Sequence, residues 1–206
     1  MIKQPEIDGL AFHPWVGEQY HSRKDWGIRL LVLGESHYGE PPPKSNLTQC
    51  LTQQNAKREW SHRFWTNIAQ SVSGEHHTTL DHEWFWNSVA LYNFVQDLLP
   101  AARRCPAPPQ WERGRNLLPL VLERLRPEAI LVLGVRLWNQ LPVDALDQPP
   151  LRSHHDKYGS DRAVKRIVVP NARAALASCI NHPSSGFSSK RWHPWVQALI
   201  ERARSA

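Results

Sequence analysis

Residues 28–39 read IRLLVLGESHYG, an apolar run that passes directly into a short polar segment lying between two glycines. Residues 28–33 are apolar except for Arg29, and Gly34 ends the run. A run of this kind, followed by turn residues, is typical of a strand buried on both faces of a parallel sheet. The stretch therefore predicts a buried strand that ends in a tight polar turn.

Three more apolar runs end in the same way, and helical patterns lie between them. The runs are residues 88–95, 129–133 and 175–180, and the helical patterns are residues 58–72, 111–125, 135–141 and 195–204. Alternating strands and helices predict an α/β fold, with right-handed crossovers between parallel strands. We expect a single domain over residues 1–206, a three-layer α/β/α structure with a central, mostly parallel four-stranded sheet. Residues 41–55 and 149–163 show no periodicity and are predicted to be loops.

Composition narrows the class of protein. The chain has 25 Lys and Arg against 19 Asp and Glu, a formal net charge of +6 that favours polyanionic partners such as nucleic acid. Its 3 cysteines, without a CxxC spacing, exclude a disulfide framework or a four-cysteine metal site within one chain. No stretch approaches the roughly 18 apolar residues of a membrane span. We therefore expect a cytoplasmic protein that has no association with membranes.

Polar side chains cluster where the predicted strands end. In an open parallel sheet, ligands bind beyond the carboxyl ends of the strands, so these residues are expected to face one crevice. They are Glu35, Ser36, His37, Tyr38, Asn93, Asn181, His182, Ser184 and Ser185. Turn formation and helix capping are the alternative roles for such residues.

Five segments, taken in order, carry a resemblance to a known family. The strand followed by GESHYG resembles the first motif of the uracil-DNA glycosylase superfamily, written GQDPY in one branch and GEAPG in another. The closing NHPSSGFS, residues 181–188, resembles the second motif, written HPSPLS in one branch. ALYNFVQ, residues 90–96, resembles the strand whose Asn reads the base, and HRFWTNI, residues 62–68, resembles the NRFW helix of the mismatch-specific branch. LRPEAILVLG, residues 125–134, resembles the third strand of the same fold.

The resemblance implies a monofunctional DNA glycosylase that flips one base out of DNA and hydrolyses its N-glycosidic bond. It implies that Glu35 activates water and stabilises the sugar cation, and that His182 donates to the departing base. Asn93 is assigned to the Watson–Crick edge of the base, and Tyr38 to its C5 edge. Ser36 and His37 complete the implied base pocket. No metal or other cofactor is implied, and the partner is DNA, bound by a monomer.

The same resemblance assigns a DNA-binding segment after the last strand. The backbone NH groups of Ser184, Ser185 and Gly186 are expected to meet phosphates. Phe187 is expected to insert into the gap that the flipped base leaves in the stack. Ordinary packing is the alternative role for this residue. Lys190 and Arg191 are expected to contact the DNA backbone. The aromatic side chain that stacks on the flipped base is left open among Trp60, Phe64 and Trp65.

Departures from the family motifs leave the substrate and the role open. His37 stands in place of a proline, Ser36 in place of a catalytic Asp, and residues 185–187 replace Pro-Leu-Ser. Uracil and a modified cytosine of foreign DNA are therefore both open as substrates, and repair and defence as roles. A catalytically weak DNA-binding protein that recognises modified bases is the alternative, and a hydrolase using Ser36 or Ser184 is a third. The His76-His77 and His154-His155 clusters lack a metal-binding spacing and are predicted to be solvated loops.

Overall fold

Strand β2 (Leu30–Gly34) lies at the centre of the sheet in the computed structural model of the chain, and its five residues are all buried. The structure describes residues 3–40, 44–142, 148–151, 162–184 and 186–206. Strand β2 pairs in parallel with β3 (Ala90–Asn93) on one side and with β4 (Ala129–Leu133) on the other. Strand β7 (Ala175–Ile180) pairs in parallel with β4. The four strands expected from the sequence thus form one parallel core, and their bounds differ from the predicted ones by two residues or fewer.

Antiparallel strands widen the sheet at both edges. Strand β1 (Trp15–Val16) pairs with β3, β6 (Arg162–Ile167) pairs with β7, and β5 (Gln148–Leu151) adds to β6 with an irregular register. Within the described residues the strand order is β1-β3-β2-β4-β7-β6-β5. The prediction of an α/β fold is confirmed, but four strands is too few. Strand β1 was not predicted because two residues are too few for a sequence pattern. Strand β6 was not predicted because charged residues interrupt its apolar ones.

Helices cover both faces of the sheet. Helices α1 (Leu47–Ala56), α2 (Arg63–Ser73), α3 (His82–Ser88) and α6 (Ser189–Ser205) pack on the first face, and α4 (Pro108–Leu125) and α5 (Val135–Trp138) on the second. Leu30 and Val32 of β2 belong to the first core, and Leu31 and Leu33 belong to the second. This alternation gives the expected three layers. No helix in the described part of the chain has both the length and the apolar character needed to cross a membrane.

The structure corrects parts of both predicted loops. Residues 41–55 contain α1, whose buried residues are small or polar and are Thr48, Thr52, Asn55 and Ala56. A helix with this buried face shows no apolar periodicity, so the sequence pattern missed it. The predicted loop at 149–163 overlaps β5 and the start of β6, and its residues 152–161 lie outside the described residues. Helix α3 was also unpredicted, because its seven residues are too short for a clear period.

Helix termini move for reasons of capping. Helix α2 begins at Arg63 rather than at residue 58, because the His62 side chain accepts a hydrogen bond from the Phe64 backbone NH. Helix α6 begins at Ser189 rather than at residue 195, since Ser188 caps it and Pro194 is accommodated inside. Helix α4 begins three residues earlier than predicted and continues through Pro119. Helix α5 ends at Trp138, short of the predicted residue 141.

Gly114 lets α4 approach the chain just after β3. A Cβ atom at this position would lie 2.5 Å from Cε1 and 2.8 Å from the carbonyl oxygen of Phe94. Both distances are shorter than any ordinary carbon contact. The contact therefore requires glycine, although Ala in a helix is normally favoured over Gly by about 0.5–1 kcal/mol.

We predict that Gly114→Ala lowers the free energy of unfolding by about 1–3 kcal/mol, because the added methyl group overpacks a closed contact. Asn116→Ala is the matched control, since Asn116 is exposed in the same helix. It is expected to change stability by no more than about 0.5 kcal/mol. Urea unfolding of both variants measures the difference. An increase in stability for Gly114→Ala contradicts the close approach of α4 to Phe94.

Candidate functional site

The order of the strands reverses next to β2. The chain leaves β2 to form β3 on one side and later forms β4 on the other side. In open α/β sheets, ligands bind outside the carboxyl ends of the strands at such a reversal. Glu35 follows β2 directly, Asn93 ends β3, and α5 begins one residue after Gly134 at the end of β4. The topology therefore places the candidate site in the crevice above these strand ends.

The polar segment after β2 has a well-anchored backbone. Residues 34–39 run beside residues 94–99 and are joined to them by four backbone hydrogen bonds. The bonds are Phe94 N to Gly34 O (2.9 Å), Val95 N to Glu35 O (2.8 Å), Leu99 N to His37 O (3.0 Å) and Gly39 N to Leu99 O (3.0 Å). The pairing of β2 with β3 thus continues beyond the strands themselves. The side chains of Glu35 and His37 project from a fixed backbone.

Glu35 forms a bidentate ion pair with Arg136 of α5. Arg136 Nε donates to Glu35 Oε2 at 2.8 Å, and Arg136 Nη2 donates to the other carboxylate oxygen. The Glu35 side chain is 13% exposed and that of Arg136 is 42% exposed, so the guanidinium lies outside the carboxylate. The hydrogen bond to Glu35 raises the pKa of Arg136. Sequence reasoning missed Arg136, although it follows a strand end just as Glu35 does.

A buried lysine holds the short helix that carries Arg136. Lys165 of β6 donates from Nζ to the carbonyl oxygen of Trp138 at 2.7 Å, and its ammonium lies 4.3 Å from the centre of the Trp138 ring. It also reaches the Leu141 carbonyl oxygen at 3.4 Å. Burial lowers the pKa of Lys165. These contacts satisfy carbonyl groups at the end of α5 and so fix the helix against the edge of the sheet.

His182 lies close to this ion pair. Partial removal of water lowers its pKa, the charge of Glu35 acts in the opposite direction, and Arg136 lowers the pKa further. Its ring centre lies 5.3 Å from that of Phe64 in α2. The structure thus brings Glu35 and His182, from opposite parts of the sequence, into one electrostatic neighbourhood. A neutral imidazole can donate from one ring nitrogen and accept at the other.

Asn93 and His37 meet on the α1 side of the crevice. Asn93 Nδ2 lies 3.0 Å from His37 Nε2, and Thr48 Oγ1 of α1 lies 2.7 Å from the same ring nitrogen. His37 is only 7% exposed, and burial lowers its pKa to about 4. Asn93 is half-buried at the end of β3. Thr48 was not among the predicted site residues, because residues 41–55 carried no helical signal.

Tyr38 and Ser36 flank the buried histidine. Tyr38 is 57% exposed, and its backbone pairs with Leu99 in an isolated bridge. Ser36 is half-buried. Roles for these two residues at the edge of a base stay predictions.

The segment after β7 is held against α2 and α6. Asn67 Nδ2 donates to the Pro183 carbonyl oxygen at 3.2 Å, and the Ser184 NH donates to the His182 carbonyl oxygen at 2.7 Å. The Phe187 ring is half-buried and lies nearly parallel to the ring of Trp192, with 6.5 Å between centres. In this arrangement Phe187 packs inward, and the Ser184 NH is already engaged.

The remaining residues of the predicted DNA-binding segment differ in position. Lys190 and Arg191 are exposed in the first turn of α6, and Gly186 is exposed in the turn before it. Ser185 lies outside the described residues. Phosphate contacts by this segment stay a prediction.

The structure describes one of the other two histidine clusters. The rings of His76 and His77 lie 3.9 Å apart in an exposed segment, and His154 and His155 fall outside the described residues. Over the residues that the structure describes, no group of three or more metal-ligating side chains comes together.

We predict that acid destabilises the folded protein through His37. Its pKa is about 4 when folded, against an ordinary value of 6.5, so the unfolded chain binds more protons between these pH values. The stability contributed by the neutral ring is complete above about pH 6.5 and is lost as the pH falls toward about 4. The contribution of His37 should fall by about 2 kcal/mol between pH 7 and pH 5.

Urea unfolding at the two pH values measures this loss, and His37→Gln is the control because glutamine does not titrate. The comparison is needed because burial also lowers the pKa values of His82 and His21, so these histidines add to the pH dependence of both proteins. Between pH 7 and pH 5, the variant should lose about 2 kcal/mol less stability than the wild type. Equal pH dependence in both proteins contradicts a buried, neutral His37.

No model of a known protein family matches this chain, and no curated protein matches its sequence. The likeness to the uracil-DNA glycosylase superfamily is therefore a resemblance of sequence motifs.

Proposed function

We propose that this protein is a monofunctional DNA glycosylase that flips out an unusual, damaged or modified pyrimidine and hydrolyses its N-glycosidic bond. The product is an abasic site, and neither a metal nor another cofactor takes part. The enzyme acts on DNA as a monomer in the cytoplasm. Uracil and modified cytosine are the two candidate bases.

The observation that supports the proposal most is the electrostatic proximity of Glu35 and His182 at the carboxyl ends of β2 and β7. Hydrolysis breaks the bond between C1′ and the base nitrogen, and the electron pair leaves with the base. The oxygen of a water molecule then bonds to C1′ and its proton passes to the surroundings. A carboxylate near C1′ stabilises the cationic sugar, and an N–H donor near the base stabilises the departing anion. Glu35 and His182 supply one group of each kind.

The ion pair with Arg136 orients the Glu35 carboxylate and does not occupy all of its hydrogen-bonding sites. A carboxylate has about four lone-pair sites, and the two hydrogen bonds from Arg136 occupy two of them. The remaining sites can orient a water molecule toward C1′. Because a bidentate pair fixes both the position and the plane of the carboxylate, Arg136 prepares Glu35 for this role. Preparation of this kind lowers the cost of reaching the transition state.

One observation supports a second candidate function. Arg136 neutralises the charge of Glu35, which weakens the electrostatic help that the carboxylate gives to a sugar cation. A protein that recognises a modified base through Asn93 and does not excise it fits this neutralised pair. This reader of modified DNA is the alternative that the test must separate from the enzyme.

A single assay distinguishes the two functions. Oligonucleotides that contain uracil, a mismatched thymine, hypoxanthine or a modified cytosine are incubated with the protein, and abasic sites are detected by alkaline cleavage. An enzyme produces strand breaks at one of these bases. A reader binds one oligonucleotide more tightly than the unmodified control and produces no break. Equal binding to every oligonucleotide without cleavage rejects both functions.

We predict that Glu35→Gln slows excision of the best substrate by at least about a hundredfold, since loss of a positioned electrostatic group costs about 2.7–4 kcal/mol in the transition state. DNA binding should stay within about threefold of the wild type, because glutamine preserves the shape and the transition state alone loses stabilisation. Glu40→Gln is the matched control, an exposed carboxylate in the same segment. Single-turnover excision kinetics measure the rates. Near-wild-type turnover by Glu35→Gln removes Glu35 from the mechanism.

We predict that DNA binding weakens steeply with salt. If about four phosphates are contacted, log K falls with log salt at a slope of roughly −3.6 on duplex DNA. Substituting Lys190 and Arg191 together by Ala should reduce that slope by about 1.8, since each phosphate contact contributes about 0.9. Fluorescence anisotropy between low and physiological salt gives the slopes.

The control for this prediction substitutes Lys24 and Arg124 together. Lys24 precedes β2, and Arg124 precedes β4. Both therefore lie at the amino-terminal ends of these strands, whereas the candidate site lies at the carboxyl ends. This double variant should keep the slope of the wild type. An equal loss of slope in both double variants shows that the charge effect is general and that α6 has no special contact with DNA.

A further inference from the structure

His37 occupies a closed position next to Asn93, at the carboxyl ends of β2 and β3. It is buried, and the Phe12 ring meets its imidazole edge-on, with 5.0 Å between ring centres. Thr48 Oγ1 approaches Nε2 at 2.7 Å. Helix α1 and the amino-terminal segment therefore hold the imidazole in place from two sides.

The contact with Asn93 determines which ring nitrogen carries the proton. Asn93 directs its amide nitrogen toward His37 Nε2 at 3.0 Å. An amide nitrogen donates hydrogen bonds and does not accept them, so Nε2 must be the accepting nitrogen and Nδ1 carries the proton. Thr48, whose hydroxyl can either donate or accept, then donates to the same nitrogen, and the two donors share its single lone pair. The neutral state this requires agrees with the low pKa of the buried ring.

Gly34 defines the other end of the Asn93 amide. A Cβ atom at position 34 would lie 2.1 Å from Asn93 Oδ1, so the amide oxygen fills the space that a side chain would take. With the proton on Nδ1, rotating the amide by half a turn would place the oxygen against the lone pair of His37 Nε2. That arrangement leaves two acceptors facing each other with their hydrogen bonds unmade, at a cost of about 1–3 kcal/mol. This tautomer of His37 therefore holds the amide in one of its two orientations.

Orientation matters because the two classes of pyrimidine present opposite patterns to an amide. Uracil and thymine carry an acceptor at C4 and a donor at N3, whereas cytosine carries an amino donor at C4 and an acceptor at N3. A freely rotating Asn can match either pattern. A fixed Asn matches one pattern, and with the other it places donor against donor and acceptor against acceptor.

We propose that His37, itself held by Thr48, is a positioning residue that fixes the amide of Asn93 and thereby makes the protein discriminate between 4-oxo and 4-amino pyrimidines. The inference rests on the proposed function in that Asn93 must face the flipped base. It goes beyond that function by assigning the choice of base to the buried His37, which acts through Asn93. His37 stands where the family motif has proline, so this device belongs to the present chain.

The test compares two substitutions of His37. His37→Phe keeps a planar ring and removes the acceptor, whereas His37→Gln restores an acceptor at the place of Nε2. Specificity is the ratio of kcat/KM for uracil to kcat/KM for cytosine in otherwise identical single-stranded oligonucleotides. The same ratio is measured for 5-hydroxymethyluracil against 5-hydroxymethylcytosine. We expect the ratio to move toward unity by about tenfold in His37→Phe, corresponding to one lost hydrogen bond of orientation, and to stay within about threefold in His37→Gln. An unchanged ratio in a folded His37→Phe overturns the inference.

Thr48→Val is the milder variant if His37→Phe does not fold. It removes one hydrogen bond to the ring and keeps the volume, and it should shift the ratio in the same direction by about threefold. A purely structural role for these residues would lower both rates together and leave the ratio constant.

A second readout is independent of catalysis. Nitrogen NMR of the wild-type protein reports which nitrogen of His37 is protonated, and we expect a neutral ring with the proton on Nδ1 from pH 6 to pH 8. A proton on Nε2 overturns the inference, whatever the enzyme does. If the wild type excises no base, the proposed glycosylase fails, and the ratio is then measured as binding affinity for the same oligonucleotides. Discrimination in binding that His37→Phe abolishes supports the inference on its own, and discrimination that survives rejects it.

Discussion

Burial of the central strands on both faces is the constraint on which the rest of the structure depends. Strands β2 and β4 have helices above and below, and each of their residues is buried, so neither strand has room for a charged side chain. A parallel sheet of this kind places its polar groups where the strands end. Glu35, Asn93 and Arg136 all lie at or within three residues of such an end. The apolar core thus creates a polar site by exclusion, and the reversal of strand order opens a crevice there.

The site divides into a charged half and a neutral half. Glu35 and Arg136 form an ion pair on the side of α5, where the guanidinium stays accessible to water. His37, Thr48 and Asn93 form a neutral, hydrogen-bonded cluster on the side of α1. The separation follows from desolvation, because a charge that is removed from water needs a close partner, whereas a neutral group needs only hydrogen bonds. A flipped nucleotide has the same division, with a charged backbone and a neutral base.

The sequence predicted the features that depend on continuous apolar runs. The four central strands, the three layers and the gathering of Glu35, Asn93 and His182 at one edge all follow from such runs and from the rule for parallel sheets. Helix α1 could not be predicted in this way, because its buried face consists of Thr48 and other small polar residues. Thr48 was lost from the site for the same reason. Arg136 could have been found by applying to β4 the reasoning that singled out Glu35, since both residues follow a strand end.

The contacts of His37 could not be predicted, because they depend on three segments that are distant in sequence. The ring belongs to the turn after β2, its hydroxyl partner to α1 and its amide partner to the end of β3. Each partner alone is compatible with either protonation state of the imidazole. With the proton on Nδ1, and with Gly34 lacking a side chain that would displace the Asn93 oxygen, they leave one orientation of the amide in which a donor faces the accepting ring nitrogen. A site that reads a base by hydrogen bonds needs this property, since an amide that could rotate would accept both patterns equally. The demand for satisfied polar groups inside a core, which is a requirement of folding, here becomes a means of choosing a substrate.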